Sequence, residues 1–121
     1  MEAVSNATVL ILLSKLNRID LLKNKYNRVH IPAKVMEELM TKDMRHSSSC
    51  QIIQSYFGNL IHLENPHQKL DILLGQGEQA AISLAHERKL FFLSDDKQAR
   101  MAAVLYKIEV IDFFRAGKNF E

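Results

Sequence analysis

Short strands alternating with helices predict an α/β fold, with a short, mostly parallel sheet of four or five strands between two helical layers. Two observations carry that expectation. Leu90–Leu93 is a continuous apolar run, as a strand buried on both faces requires. The stretches on either side, Glu78–Arg88 and Lys97–Tyr106, repeat apolar residues at helical spacing. Helices and strands in this order build right-handed βαβ units, whose sheet is covered on both faces. At 121 residues the chain is long enough for one core and too short for two. Residues 1–121 are therefore expected to form a single domain.

A first strand is expected over Ala3–Ser5, then a turn at Asn6 and a helix over Thr8–Leu16. Thr8 is the expected N-cap, and Val9, Leu10, Leu12, Leu13 and Leu16 give a broad apolar face. Asn17 ends that helix. Asp20–Tyr26 reads as a shorter helix and Arg28–Ile31 as a second strand. Pro32 suits the first turn of a third helix, which runs to about Thr41. The polar stretch Lys42–Ser49 is expected to be a loop and Gln51–Phe57 a helix. Leu60–Glu64 alternates apolar and polar residues, which suits a strand. Gly77 precedes the helix Glu78–Arg88; Leu90–Leu93 is the next strand, Lys97–Tyr106 the last helix and Glu109–Ile111 the last strand. Phe113–Glu121 reads as a short cap.

Charge excludes little. Sixteen basic residues against fourteen acidic ones leave +2, which permits a polyanionic partner without demanding one. Cys50 is the sole cysteine, so neither an intrachain disulfide nor a cysteine-based zinc site is available. Ala7–Leu13 is too short an apolar run to cross a bilayer, and Glu2 stands where a secretory leader carries Lys or Arg. A reducing cytosol, with no membrane partner, is the expected location. The histidines at 30, 46, 62, 67 and 86 show no metal-ligand spacing and are expected at the surface or the core edge. Gly75 and Gly77 in LGQGE do not follow a strand and lack the rest of a phosphate-binding loop, so they are discounted.

The acids fall where chemistry is expected. Parallel sheets bind ligands beyond the carboxyl ends of their strands. Asn6 follows the first strand, and Ser94, Asp95 and Asp96 follow Leu90–Leu93, so these groups should meet at one edge. Glu78 shares a helical stripe with Ala81, Ile82 and Ala85, and Glu38 shares one with Val35. A carboxylate on a buried stripe costs several kcal/mol unless paired or bound to a cation. Oxygen-only donors suit Mg²⁺ or Mn²⁺. Each group also has an ordinary reading: Glu78 as a complement to the helix dipole, Glu38 with Glu37 as a solvated face, Asn6 as a turn residue. Asp95 or Asp96 could equally cap the next helix, and Asp96 with Arg100 makes a common i,i+4 pair. Lys42, Arg45 and His46, with Lys97 and Arg100, could touch phosphates or form a solvated face.

Taken in order, VSNATVLILLSKLNRIDLL, VHIPAKVMEEL, LGQGEQAAISLA and LFFLSDDKQAR resemble the PIN-domain family, in particular the prokaryotic branch whose first motif reads Ser-Asn-Thr/Ala. The resemblance runs from Val4 to about Ile111. It implies a PIN-like α/β/α fold and acids that bind Mg²⁺ or Mn²⁺ to hydrolyse RNA phosphodiesters. Many such proteins are toxins of toxin–antitoxin pairs, so RNA and an antitoxin protein are implied partners. Carried over, the first acidic position is Asn6, followed by Glu38, Glu78 and Asp95, with Asp96 as neighbour or substitute. Glu38, Glu78 and Asp95 would be the catalytic acids, and Thr8 and Ser94 would orient a ligand or water. Asn6 replaces a charge: its amide oxygen could still coordinate a hard cation, but an attraction worth roughly 4 kcal/mol at ~4 Å and an effective dielectric of ~20 is lost. An exposed sheet edge near the tail favours pairing with a partner or with a second copy, a homodimer. The alternative reading, favoured by Asn6, is a catalytically weak or inactive PIN-like domain acting in RNA or protein binding. A phospho-acceptor receiver module fits poorly, because its acidic pair would follow the first strand rather than come late.

Overall fold

The computed structural model describes residues 1–41 and 48–112. Five strands, β1 (Glu2–Ser5), β2 (Arg28–Ile31), β3 (Ile61–Leu63), β4 (Phe91–Leu93) and β5 (Val110–Ile111), form a sheet in the order β3-β2-β1-β4-β5. All four pairings are parallel. The helices between them are α1 (Ala7–Lys15), α2 (Asp20–Lys25), α3 (Ala33–Thr41), α4 (Ser48–Ser55), α5 (Gln76–Arg88) and α6 (Lys97–Leu105). The chain runs outward from β1 through β2 to β3, and α1 packs against both α3 and α4. It then returns past β1 to β4 and β5, with α5 packed on β1, β4 and α6 and touching α3, an order that right-handed crossovers give.

β1 is central, and its composition fits that place. Ala3, Val4 and Ser5 are fully shielded from solvent, and the small residues let helices approach both faces. Ala80, Ala81 and Ala85 give α5 a thin buried side against the sheet, with Ile82 and Leu84 supplying bulk. Leu10 and Leu13 of α1, Val29 and Ile31 of β2 and Phe92 of β4 complete a continuous core.

Several expected boundaries move for physical reasons. α1 starts at Ala7, one residue early, because the N-cap is Asn6 and not Thr8. α5 starts at Gln76 with Gly75 as its N-cap, which puts Gly77 inside the first turn rather than before the helix. α4 starts at Ser48, so the last two residues of the expected loop Lys42–Ser49 are helical. The rest of that loop, with Lys42, Arg45 and His46, lies outside the described residues, as does Phe113–Glu121. Among the described residues no helix is long and apolar enough to cross a membrane.

His30 departs further from expectation. It is buried, 4% exposed, and sits between two carboxylates: Nε2 is 2.5 Å from Glu2 Oε1 and Nδ1 is 3.1 Å from Glu64 Oε1. Arg88, at the end of α5, pairs with both acids and ties that helix to β1 and to the end of β3. The hydrogen bond from His30 holds the Glu2 carboxyl below its ordinary value of 4.5, with the charges of His30, Arg88 and Arg28 acting in the same direction. A depressed carboxylate contributes stability that is present above its unfolded-state pKa and lost as pH falls through the folded one. Glu2→Gln is therefore expected to flatten the loss of stability below pH 4.5. Urea melts at pH 7 and pH 3.5 on both proteins check this, and an unchanged acid sensitivity would remove Glu2 from the account.

Candidate functional site

The carboxyl ends of β1 and β4 form the switch point of the sheet, where the chain leaves one strand toward α1 and the other toward α6. Ser5 pairs with Leu93 in the last register of that ladder, so the next residues, Asn6 and Ser94, emerge side by side. The backbone N–H of Asn6 still donates to Leu93 O at 3.3 Å. Asn6 is 1% exposed and Ser94 fully buried.

The Asn6 side chain makes both of its possible kinds of bond. Its Oδ1 accepts from Val9 N–H at 3.0 Å, which caps α1. Its Nδ2 donates to Ser94 Oγ at 3.1 Å and to Asp95 Oδ1 at 3.3 Å. The cap settles the orientation, because a flipped amide would set its N–H₂ against the Val9 N–H. The Asn6 oxygen, expected as a ligand, caps α1 in this arrangement and keeps one lone pair, while a hydrogen-bond donor faces the acid.

Ser94 Oγ also accepts from the Asp96 N–H at 3.1 Å, fixing the turn that follows β4. Asp96 caps α6, its carboxylate accepting from Gln98 N–H and Ala99 N–H at 3.4 and 3.3 Å. The carboxylate of Asp96 therefore serves the helix, and Asp95, half-buried and bonded to Asn6, is the strand-end acid facing the switch point. Arg100 does not pair with Asp96. It donates to Ser94 O at 3.3 Å and lies 3.5 Å from Asp112 Oδ2, bracing α6 against β4 and β5. Lys97 and Thr8 are exposed, at the start of α6 and in the first turn of α1.

Glu38 and Glu78 meet at the start of α5, and the two glycines set aside in the sequence explain how. A Cβ on Gly77 would come 1.9 Å from Glu38 Oε1, so the glycine leaves room for the α3 carboxylate against the first turn of α5, and a larger residue would push that carboxylate aside. A Cβ on Gly75 would come 2.9 Å from Glu78 Oε2, so that carboxylate folds back toward the N-cap of its own helix. Both acids are half-buried and lie where the helix N-terminus carries partial positive charge. Glycine one and three residues before an acid gives no warning of this in the sequence, since the contact with Glu38 crosses between helices. Among the described residues, no three His, Cys, Asp or Glu side chains are gathered closely enough to hold a metal ion.

The family model DUF3368, described as a PIN domain, matches residues 2–113. Among solved structures, the chain is similar to a PilT N-terminus domain protein of the hyperthermophilic archaeon Sulfolobus solfataricus P2. The TM-score is 0.63 at 17% identity, over 92% of this chain and 86% of that one, which bears on the fold alone. No curated protein matches in sequence.

The glycine contact can be tested by sign. Alanine in an exposed helix ordinarily gains about 1 kcal/mol over glycine. Gly77→Ala is instead expected to destabilise by about 1–3 kcal/mol, as an overpacked contact does. In a Glu38→Ala background the same change should become neutral or stabilising. Equal effects in the two backgrounds would show that Glu38 does not occupy that space.

Proposed function

The chain belongs to the PIN-domain family, and from that premise we propose that it is a metal-dependent ribonuclease acting at the β1–β4 switch point. The observation that supports the proposal is that Asn6 bonds Asp95 at the carboxyl end of β4, while Glu38 of α3 and Glu78 lie at the start of α5, the helix that leads into that strand. PIN domains generally use divalent metal ions, and the donor chemistry here fits one. Glu38, Glu78 and Asp95 supply hard carboxylate oxygens suited to Mg²⁺ or Mn²⁺. The space kept open by Gly77 is a cradle for one of them. Those three residues would hold the ion, with the second lone pair of the Asn6 oxygen, which already accepts from Val9 N–H, as a further neutral donor. A bound Mg²⁺ or Mn²⁺ would supply an activated water and neutralise charge on a phosphodiester in transit.

The remaining work falls to the chain itself. Asn6 Nδ2, itself bonded to Ser94 Oγ, holds one oxygen of the Asp95 carboxylate. The N-termini of α1, α5 and α6 all face this edge, and their partial positive charge favours a phosphate. Lys97, exposed in the first turn of α6, is placed to meet the backbone of an RNA strand.

The Asn6–Asp95 bond also favours a second reading, a PIN domain that binds RNA without cutting it, since a donor stands where a second anionic ligand would strengthen the site. Cleavage of an end-labelled RNA pool in Mn²⁺ separates the two. The nuclease reading expects cleavage that EDTA abolishes and Asp95→Ala lowers at least a hundredfold. RNA retention in EDTA, with no cleavage by a folded parent, would establish the binding reading instead.

Asn6→Asp sharpens the test. It preserves the cap but sets a carboxylate oxygen about 3.3 Å from Asp95 Oδ1, where like charges repel. The metal-free variant is expected to melt below the parent at neutral pH, and Mn²⁺ should raise its melting temperature more than that of the parent. An identical Mn²⁺ response would place the ion away from position 6.

A further inference from the structure

At the opposite end of α5 the structure holds a cavity of about 460 Å³ between the C-termini of α5 and α6 and the start of β4. Its size falls in the range of small-molecule sites. Leu90, Phe91 and Ile108 give it an apolar floor. His86 and Tyr106 form a wall, their rings edge-on at 5.5 Å and 69°. Lys89, Lys107 and Glu109 stand exposed at its rim.

The two lysines have an unusual backbone. Lys89 caps α5 at φ 56° and Lys107 follows α6 at φ 60°, both left-handed. Glycine is the favoured residue at such helix ends, and a side chain with a Cβ is strained there. Where α1 ends, the left-handed residue is Asn17, a type that tolerates the conformation. Both helices that end at the cavity instead carry lysine there, so two ammonium groups come to one aromatic-lined cleft.

We propose that this cavity binds a purine nucleotide, with its base against Tyr106 and Phe91 and its phosphate between Lys89 and Lys107. Every base has a π-face for an aromatic wall, and lysine is a point-charge partner for phosphate. Glu109 on the same rim sets the sense of the ligand, since it repels the phosphate and accepts from N–H groups on the edge of the base. Guanine offers two such donors side by side. The ligand is a free nucleotide or the 5′-phosphorylated end of an RNA strand. The inference goes beyond the reading of the switch point and needs neither its metal nor its acids.

The test uses the full chain in EDTA, with GMP, inorganic phosphate and a 5′-phosphorylated oligoribonucleotide as separate titrants. GMP is expected to bind at one site, and inorganic phosphate at least tenfold more weakly. Lys89→Gly and Lys107→Gly should each weaken GMP about tenfold while raising the melting temperature, because glycine relieves the left-handed strain. That opposition excludes misfolding as the cause. Asp95→Ala should bind GMP as the parent does, which separates this proposal from the switch-point reading. An oligoribonucleotide that binds more tightly than GMP, through the same lysines, identifies an RNA end as the ligand; weaker binding identifies the free nucleotide. No GMP binding, phosphate binding as tight as GMP, or undiminished binding in the double glycine variant would overturn the proposal.

Discussion

Ser5 lies opposite Leu93 in the parallel pairing of β1 with β4, and beyond the bond from Asn6 N–H to Leu93 O the two strands part. One chain turns toward α1, the other toward α6, and the gap between them must be closed by side chains. Asn6 closes it. Its oxygen starts α1 by accepting from Val9, and the geometry of an amide then leaves its nitrogen for Ser94 and Asp95. Helix initiation and the direction of the strand-end carboxylate therefore depend on a single buried side chain. Aspartate would cap the helix equally well but would turn an oxygen toward Asp95, so the charge of the site hangs on one atom of residue 6.

The other acids are placed by similar economies. Half-burying a carboxylate is costly in an apolar setting and far less so beside the unpaired N–H groups of a helix start. Glu38 and Glu78 both lie at the first turn of α5, Asp96 caps α6, and Asp95 accepts from Asn6. Each acid thus lies beside a helix start or a donor of the chain, which lowers the cost of gathering them at one edge. The donors are of the right chemical type and yet stand too far apart, three at a time, to form a closed ion site among the described residues.

The fold was legible because its evidence is local. Runs such as Leu90–Leu93, alternating with amphipathic stretches, state a parallel sheet before any coordinates exist, and all five expected strands are present. The switch-point residues were legible for the same reason, since Asn6 and Asp95 each follow a strand and topology does the rest. What the sequence withheld were contacts between distant segments. Which atom of Asn6 faces Asp95 depends on the Val9 N–H. The pairing of His30 with Glu2 and Glu64 spans three strands, and nothing about an isolated histidine announces it. Gly77 was read as a helix boundary because the carboxylate it accommodates belongs to α3, about forty residues earlier.

α5 violates local preference at both ends, in opposite directions. Glycine inside a helix costs about 1 kcal/mol relative to alanine, yet Gly77 sits in the first turn. Glycine is the least strained residue for a left-handed C-cap, yet Lys89 occupies that place. Propensity alone would set these residues the other way round. At the first end the compensating gain is visible, since the missing Cβ is the space that Glu38 fills. At the second end the Lys89 N–H closes the helix on Ala85 O, but no side-chain hydrogen bond or ion pair of Lys89 offsets the strain among the described residues, and its side chain stands at the rim of a cavity. Local rules broken without an internal gain are where an external partner is the natural compensation. Helix α5, about 20 Å long from its 13 residues at ~1.5 Å each, thus spans two departures that share one physical logic, the first answered by a carboxylate of the chain and the second by a ligand.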